Sequence, residues 1–242
     1  SELPAGKLTK KAIVIGYDGC RADALSLCDE NGAIHKLITD GGKAYVSYCG
    51  GVNYPVFNTQ DTSTAPGWAS ILTGQWADVH GITGNSITKS TDTLTLLTSL
   101  VEDDLADDSA FYVSWNGHFS SDDATYNLEK AYCEEKGLDV TFSDADDDAG
   151  TVRNTLNDVK SLSCSDFIFT ILEHTDHAGH DTGFDLENAD YSDAFYAAEA
   201  DALEKELSKI TDVFSYKVDV RDKEETDAFI KKVIEKFKRI DV

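Results

Sequence analysis

The sequence predicts an α/β fold in which a mainly parallel sheet is flanked by helices. Short apolar runs rich in β-branched residues alternate with longer amphipathic segments, a pattern typical of strands joined by helices. Loops dense in acidic residues and histidine follow two of these runs, and parallel sheets bind their ligands beyond the carboxyl ends of the strands. The length of 242 residues allows one large domain with a substantial core.

The predicted strands and helices alternate along most of the chain. Apolar runs predict strands at 11–17, 43–49, 110–115 and 166–172, the first of them buried on both faces. Amphipathic segments predict helices at 21–30, 31–40, 65–72, 94–101, 122–136, 152–160 and 190–210. Residues 50–63 are predicted to form a loop, and Pro66 lies in the first turn of its helix, where proline is tolerated.

The charge of the chain restricts the partners that it can bind. Its formal net charge of −24 at pH 7 repels nucleic-acid polymers and anionic membranes, and it favours the capture of divalent cations. No apolar run in the sequence approaches the ~20 residues that a membrane span needs. We therefore expect a soluble protein, and a secreted or periplasmic location would apply if a signal peptide had been removed.

Asp18 and Thr64 are the first two candidate functional residues. Asp18 directly follows the first predicted strand, where a buried carboxylate is costly unless it is paired or bound to a cation. Thr64 opens the helix predicted at 65–72, where backbone N–H groups and the helix dipole favour negative charge and help an alkoxide to form. Taken alone, each of the two residues is better explained as a helix N-cap.

The third candidate group follows the last predicted strand of the sheet. The segment His174-Thr-Asp176-His177-Ala-Gly-His180 holds three of the six histidines of the chain. Asp176 and His180 lie four apart in a predicted glycine-containing loop and can turn towards one cation, and zinc accepts such N and O ligands at ~2.0–2.2 Å. A site made of His174, His177 and His180 is the alternative, although it leaves the other two candidates without a role.

Together, these three pieces resemble the alkaline phosphatase superfamily, and most closely its nucleotide pyrophosphatase/phosphodiesterase branch. The resemblance covers roughly residues 11–210 and rests on three motifs in matching order. They are Ile-Gly-Tyr-Asp18-Gly, Thr-Ser-Thr64-Ala-Pro-Gly-Trp continuing to His80-Gly-Ile-Thr-Gly-Asn85, and Asp176-His-Ala-Gly-His180. Sulfatases share this fold, but the Thr64 motif has neither their Cys or Ser nucleophile nor their arginine.

The resemblance implies a two-metal phosphoryl transfer, usually with zinc, on a small phosphate-ester substrate. Asp18 and Thr64 would belong to one metal site, and Asp176 and His180 would belong to the other. Thr64 would attack phosphorus and form a covalent phospho-enzyme that water hydrolyses, while cations about 3.5–4 Å apart clamp the attacking and leaving oxygens. Asn85 matches an asparagine whose amide holds a phosphate oxygen in this family, although a plain Gly-Asn turn would also explain it.

The chain departs from the family pattern after residue 210. The family supplies there a strand ending in Asp-His-Gly and a later histidine, and neither occurs in this chain. Residues 211–242 carry eight basic and eight acidic side chains, so the whole net charge resides in residues 1–210. The segment 211–242 instead resembles a fragment of a short-chain dehydrogenase. We expect a partial alkaline phosphatase-like catalytic domain at 1–210 and a foreign-looking strand–helix tail at 211–242, in a truncated or fused chain.

Two functions are compatible with this sequence. The first is hydrolysis of phosphate esters of the phosphodiesterase or nucleotide pyrophosphatase type through Thr64, impaired by the loss of part of the metal site. Such impairment is expected because a zinc ion held by two protein ligands binds weakly, whereas stable sites use three or four. The second is a non-catalytic remnant that binds cations weakly. Neither the individual substrate nor the oligomeric state follows from the sequence.

Overall fold

The computed structural model of the chain describes residues 11–21, 23–24, 35, 50, 52–53, 56–57, 60–86, 93–122 and 124–187. The strand predicted at 43–49, the helix at 190–210 and the tail at 211–242 lie outside these residues, as do most of the helices at 21–30 and 31–40. The boundary at residue 211 therefore stays a prediction.

A parallel sheet forms the centre of the described fold. The strands are β1 (Ala12–Tyr17), β2 (Val52–Asn53), β3 (Val56–Phe57), β4 (Ser109–Val113), β5 (Val140–Asp144) and β6 (Phe167–Leu172). The larger sheet has the order β1-β6-β4-β5, and all of its neighbouring strands are parallel. This confirms the predicted fold class and places four carboxyl ends at one edge. β2 and β3 form a short antiparallel ladder, which corrects the prediction of an uninterrupted loop at 50–63.

Helices connect the strands of the larger sheet. They are α1 (Thr64–Thr73), α2 (Ala77–His80), α3 (Leu96–Glu102), α4 (Thr125–Lys136), α5 (Asp148–Lys160) and α6 (His174–Thr182), with a 3-10 helix at Asn116–Phe119. Glycines in the left-handed conformation end α1 and α4, at Gly74 and Gly137. The Asp147 side chain begins α5 by accepting a hydrogen bond from the Gly150 N–H at 2.7 Å. None of the described helices is both long and apolar enough to cross a membrane.

The main core lies where β4, β5 and β6 face α4. Phe111 of β4 is fully buried and its ring centroid lies 5.1 Å from Tyr126, 6.2 Å from Phe142 and 6.1 Å from Phe169. Because aromatic side chains bury large areas and pack best in tilted or edge-to-face pairs, this cluster stabilises the middle of the sheet. The core thus holds rigid the strands whose carboxyl ends carry the candidate site.

β1 and β6 differ in burial although they are neighbours. All six residues of β6 are buried, as expected for a strand covered on both faces. In β1, by contrast, Ile13, Val14 and Ile15 are 45%, 38% and 54% exposed, so the prediction that β1 is buried on both faces is wrong. β1 lies at the edge of the described sheet, and β6 is the described element with which it makes extensive contacts, so its faces are less covered than those of β6.

Two further elements differ from the sequence prediction. β5 was not predicted, because its sequence Val-Thr-Phe-Ser-Asp is neither apolar nor strictly alternating and only Phe142 is buried. The segment after β6 was predicted as a loop and forms helix α6 instead. The second difference changes how Asp176 and His180 are presented, because residues four apart on a helix lie on the same face.

Candidate functional site

Asp18 and Glu173 occupy equivalent places at the carboxyl edge of the sheet. Asp18 directly follows β1, and Glu173 directly follows β6. The parallel ladder continues one step past β1, where the Asp18 N–H donates to the Leu172 carbonyl at 2.8 Å. The two acidic residues therefore lie next to each other at the carboxyl ends of adjacent strands, where parallel sheets bind their ligands.

Three carboxylates converge at this edge. One oxygen each of Asp18, Glu173 and Asp176 lies within 4.8 Å of the others. Gly19 N–H donates to Oδ1 of Asp18 at 3.0 Å, whereas the buried Oδ2 of Asp18 and Oε1 of Glu173 have no hydrogen-bond partner among the described residues. We refer below to Asp18, Glu173 and Asp176 as the acidic triad.

The electrostatics of the acidic triad are unfavourable for three bare carboxylates. Burial and then the charge of Asp18 raise the pKa of Glu173 to about 9. The same two causes, in the same order, raise the pKa of Asp176 above its ordinary value. Like charges held close together in a partly buried place disfavour ionisation. The triad therefore has a strong tendency to take up positive charge, either protons or a cation.

Helix α6 sets Asp176 and His180 on one face. Nε2 of His180 lies 3.5 Å from Oδ2 of Asp176, and the His180 side chain is 72% exposed. The alternative of a three-histidine site is not supported, because the metal-type clusters of the described residues do not include one built from His174, His177 and His180.

The start of α6 is held by Asp148, the first residue of α5. Its carboxylate accepts hydrogen bonds from the Glu173 N–H at 2.9 and 3.0 Å and from the His174 N–H at 2.9 Å. The Ser114 hydroxyl, which follows β4, donates to it at 2.6 Å. The first N–H groups of a helix lack partners within the helix, and here a remote carboxylate satisfies them. Asp148 thereby fixes the segment that carries the acidic triad.

Thr64 and Asn85 form a second group at the start of α1. Thr64 is the first residue of α1, and Oδ1 of Asn85 accepts a hydrogen bond from the Ala65 N–H at 2.9 Å. The Oδ1 atom of Asn85 is therefore bound to the first turn of α1, and its Nδ2 group remains as a hydrogen-bond donor. The structure thus brings the predicted nucleophile and the predicted phosphate-binding asparagine to the same helix end.

His80 holds the loop that carries Asn85. It is completely buried, and its Nδ1 accepts from the Ile82 N–H at 3.1 Å while its Nε2 lies 3.0 Å from the Ser70 hydroxyl of α1. Because Nδ1 is an acceptor, the proton of the neutral ring lies on Nε2 and is donated to Ser70. His80 is therefore a positioning residue of this loop.

The two groups are connected through Trp68. A Cβ atom at Gly16 would collide with the indole ring of Trp68, so α1 packs tightly on the last residues of β1. Gly16 lies two residues before Asp18, and Trp68 lies four residues, about one helical turn, after Thr64. This contact brings the start of α1 towards the edge of the sheet that carries the acidic triad.

Two residues of the site were not selected from the sequence. Glu173 follows a buried strand just as Asp18 does, so the reasoning applied to Asp18 could have identified it. Asp148 could not have been identified, because it is one of several acidic residues in the stretch 144–148 and only the tertiary structure shows which of them reaches α6.

A separate acidic depression of about 300 Å³ lies beyond β5. It is lined by Asp144, Ala145, Asp146, Asp147, Gly150, Arg153 and Asn154. It contains none of the predicted site residues, and Asp147 already serves there as the N-cap of α5. We therefore place the candidate site at the acidic triad and the start of α1 rather than in this depression.

The acidic triad fits a divalent cation. It offers three carboxylates, two of them with buried oxygens that lack a donor, and no ion pair joins it to a lysine or arginine of the described chain. Charges of one sign that are buried together are costly unless protons neutralise them or a counter-ion balances them. The imidazole of His180 beside Asp176 adds a nitrogen donor of the type that zinc accepts.

The chain is similar to a known protein family and to solved structures. The family model of type I phosphodiesterase/nucleotide pyrophosphatase matches residues 12–238. Murine ectonucleotide pyrophosphatase/phosphodiesterase 5 matches with a TM-score of 0.51 and 17% identity, over 83% of this chain and 53% of that chain. An inactive threonine-to-alanine variant of the same murine protein, in complex with AMP, matches with the same score and coverage at 15% identity. This chain spans about half the length of those structures, and no curated protein matches it closely.

Proposed function

We propose that this chain, which belongs to the type I phosphodiesterase/nucleotide pyrophosphatase family, is a metal-dependent hydrolase of small phosphate esters that acts through Thr64. The observation that carries the proposal is the convergence of Asp18 and Asp176, predicted metal ligands from distant parts of the sequence, within 4.8 Å of each other. They meet at the edge of a parallel sheet where ligands bind.

Two divalent metal ions, of which zinc is the proposed type, would be held by four residues. Asp18 and Thr64 would hold one ion, and Asp176 and His180 would hold the other. Bound metal would lower the pKa of the Thr64 hydroxyl and compensate the charge that develops on the phosphoryl oxygens. The 3.5 Å between Nε2 of His180 and Oδ2 of Asp176 is compatible with two ligands of one ion.

The chain itself would supply the nucleophile and a hydrogen-bond donor. Thr64 Oγ1 attacks phosphorus, the bond from phosphorus to the leaving oxygen breaks, and the leaving group takes up a proton. Water then attacks the phosphorus bound to Thr64, which still carries the remaining substituent of the substrate; the bond to Thr64 breaks, the phosphate product leaves and the hydroxyl is regenerated. Asn85 would donate Nδ2–H to a phosphoryl oxygen, because its Oδ1 is engaged with the Ala65 N–H.

The murine relative supports the choice of nucleophile and of substrate class. Its inactive variant replaces a threonine by alanine and is in complex with AMP. A threonine hydroxyl is therefore the first group to test in this chain, and esters of nucleoside monophosphates are the first substrates. Nucleic-acid polymers remain disfavoured because the chain carries a net charge of −24.

We expect slow turnover by this polypeptide on its own. Each proposed ion has two protein ligands within the chain, and stable zinc sites use three or four. Loss of metal clamping removes several kcal/mol of transition-state stabilisation, and each ~1.4 kcal/mol is a factor of ten in rate. The acidic triad also favours a second candidate function, a non-catalytic protein that binds cations.

The test is hydrolysis of bis(p-nitrophenyl) phosphate and of a nucleoside monophosphate p-nitrophenyl ester with added zinc. Thr64→Ala should abolish turnover, and Thr64→Ser should retain part of it because serine keeps the hydroxyl. Thr62→Ala, at an exposed position two residues earlier, is the matched control and should leave turnover unchanged. Mass spectrometry of quenched reactions should find the Thr64 peptide carrying the phosphoryl group with its remaining ester, a p-nitrophenyl or a nucleoside group according to the substrate.

Two results would count against this function. Turnover that survives Thr64→Ala would show that another residue is the nucleophile. Absence of turnover in the wild-type chain, together with measurable cation binding, would favour the non-catalytic function.

A further inference from the structure

One hydrogen-bond network joins α1, α2 and the loop that carries Asn85. Its members are Gln60, which precedes α1, Ser70 of α1, and His80 at the end of α2. We propose that Gln60 and Ser70 act through His80 as positioning residues, which set the place of Asn85 for binding of the phosphoryl group. This inference rests on the proposed function, in which Asn85 donates to a phosphoryl oxygen, and it assigns two residues that the predicted site does not contain.

The Ser70 hydroxyl is the centre of this network. Its oxygen accepts a hydrogen bond from Nε2 of Gln60 at 2.8 Å and lies 3.0 Å from Nε2 of His80. Its own proton is donated to Oε1 of Gln60 at 3.1 Å. Because a serine hydroxyl offers one donor and two acceptor sites, all three contacts can be made only when Nε2 of His80 carries a proton. Ser70 therefore selects the tautomer of His80.

His80 needs that tautomer to bind the loop that follows it. Its Nδ1 accepts a hydrogen bond from the Ile82 N–H at 3.1 Å, which requires Nδ1 to be free of a proton. Burial lowers the pKa of His80, because a charged ring is disfavoured away from water. Helix α1 contains no charged side chain, and Asp78 of α2 is the acid that acts on the ring. The ring is therefore neutral at pH 7 and keeps Nδ1 as an acceptor.

Gln60 attaches α2 to α1. Its Oε1 accepts a hydrogen bond from the Ala77 N–H, at the start of α2, at 2.8 Å, and its Nε2 also donates to the Pro66 carbonyl of α1 at 3.3 Å. Helix α2 has four residues, which is too short for a helix to be stable without tertiary contacts. The side chain of Gln60 therefore determines where α2 lies, and with it His80.

The loop after His80 links this network to Asn85. Ile82 is bound to His80 and is buried in a cluster with Ala65 and Ala69 of α1. Only two residues separate Ile82 from Asn85, whose Oδ1 accepts from the Ala65 N–H at 2.9 Å. Because networks without unmade hydrogen bonds make the groups that they join rigid, a displacement of His80 would move Asn85 relative to the start of α1.

The kinetic test combines substitutions in the network with a substitution of Asn85. Ser70→Ala and Gln60→Ala should each lower kcat/KM for bis(p-nitrophenyl) phosphate by about tenfold, a typical coupling within one hydrogen-bond network. In an Asn85→Ala background neither should lower it further, because the group that they position is already absent. An equal fall in both backgrounds, or no fall in the wild-type background, would overturn the proposal.

Thr73→Val is the matched control for Ser70→Ala. It removes a hydroxyl from the same helix, but that hydroxyl donates to the Ala69 carbonyl at 2.7 Å and not to the network. We expect Thr73→Val to keep the wild-type kcat/KM. A fall as large as that in Ser70→Ala would show that loss of any hydroxyl from α1 has this effect, which would contradict a specific role of Ser70.

Two further measurements need no turnover, so failure of the network is distinct from failure of the proposed hydrolase. In thermal unfolding, the Tm shifts of Ser70→Ala and Asn85→Ala should add up to more than the shift of the double variant, because both weaken the contact of Asn85 with α1. Additive shifts would overturn the proposal.

The second of these measurements uses the wild-type chain and does not depend on the folding of any variant. The 15N NMR spectrum of the His80 ring at pH 7 should show a proton on Nε2 and none on Nδ1. A ring with its proton on Nδ1 would contradict the network, because that atom could then not accept from the Ile82 N–H.

Discussion

The backbone of Asp176 packs directly against Gly19. A Cβ atom on Gly19 would lie 2.5 Å from the Cα of Asp176 and 2.8 Å from its Oδ1, closer than real Cβ contacts allow. Gly19 also has φ = +65°, a conformation that glycine adopts readily and other L residues rarely do. The loop after β1 and helix α6 thus meet where only glycine fits, and their meeting brings Asp18 beside Asp176.

Substitution of Gly19 should damage the site more than the fold. Gly137→Ala is the matched control, because Gly137 has φ = +69° and has no atom within 4 Å of a built Cβ. Both variants should lose about 1–2 kcal/mol of unfolding free energy from the left-handed conformation. Gly19→Ala should lose about 1–3 kcal/mol more from the collision with Asp176, measured by urea denaturation. Its zinc affinity should also fall, whereas equal behaviour of the two variants would show that the close contact is unimportant.

Asp148 should support the site from a distance. Asp148→Asn replaces one carboxylate oxygen by an NH2 group, which cannot accept a hydrogen bond. That group would face one of the donors that now bind the carboxylate, among them the N–H groups of Glu173 and His174. We expect a loss of about 1–3 kcal/mol in unfolding free energy, together with weaker zinc binding. Asp146→Asn, at an exposed position in the same acidic stretch, is the control for the lost charge. A zinc affinity that falls equally in both variants would mean that net charge, not the hydrogen bonds to α6, is responsible.

Asn85 allows stability and turnover to be separated. Asn85→Ala removes the acceptor of the Ala65 N–H and should cost about 0.5–2 kcal/mol, as for the loss of a helix cap. Asn85→Asp keeps an acceptor at the helix start, so its unfolding free energy should remain close to that of the wild type. Asp has no Nδ2 donor and adds a negative charge next to the phosphoryl group, so kcat/KM should fall in both variants. Retained kcat/KM in Asn85→Asp would exclude the amide as a phosphate donor.

His118 should make the fold sensitive to acid. It is completely buried, its ring lies 4.8 Å from Trp115 and 5.1 Å from Tyr126, and burial lowers its pKa to about 3. Because the folded-state pKa lies below the ordinary 6.5, neutral His118 contributes stability that is present above pH 6.5 and is lost as the pH falls from 6.5 towards 3. At about 1.4 kcal/mol per pKa unit, the loss is on the order of a few kcal/mol.

The corresponding measurement is thermal unfolding between pH 4 and pH 8 (roughly the range in which histidine charges). His118→Phe should flatten the decline in Tm towards acid, and the remaining slope should include His80, whose pKa burial also lowers. His177→Gln, at an exposed position, should keep the wild-type profile. An unchanged profile in His118→Phe would show that another group is responsible for acid sensitivity.

The strands and the site differ in how far the sequence could predict them. β6 could be predicted because a run such as Phe-Ile-Phe-Thr-Ile-Leu is apolar enough to identify a buried strand. Asp18 could be placed at the sheet edge for the same reason, since it follows such a run. β5 could not, because an edge strand that buries only Phe142 carries little pattern.

Helix α6 illustrates the opposite case. His-Thr-Asp-His-Ala-Gly-His-Asp-Thr has few strong helix formers, so the sequence alone favours a loop. The helix forms because Asp148 satisfies its first N–H groups from another part of the chain. Contacts of this kind are tertiary and leave no local pattern. The nearness of Glu173 to Asp18 and Asp176 depends on the same contacts, which is why the acidic triad was recognised only in the structure.

The hydrogen bonds to Asp148 also make local opening of the site measurable by amide hydrogen exchange. Amides at the start of a helix normally exchange their protons with water quickly, because no carbonyl of the helix accepts from them. The amides of Glu173 and His174 donate to Asp148 instead, so deuterium can replace their protons only when α5 and α6 separate locally. Their exchange rates therefore measure how often the sheet edge that carries the acidic triad opens in the native protein, residue by residue and without any substrate.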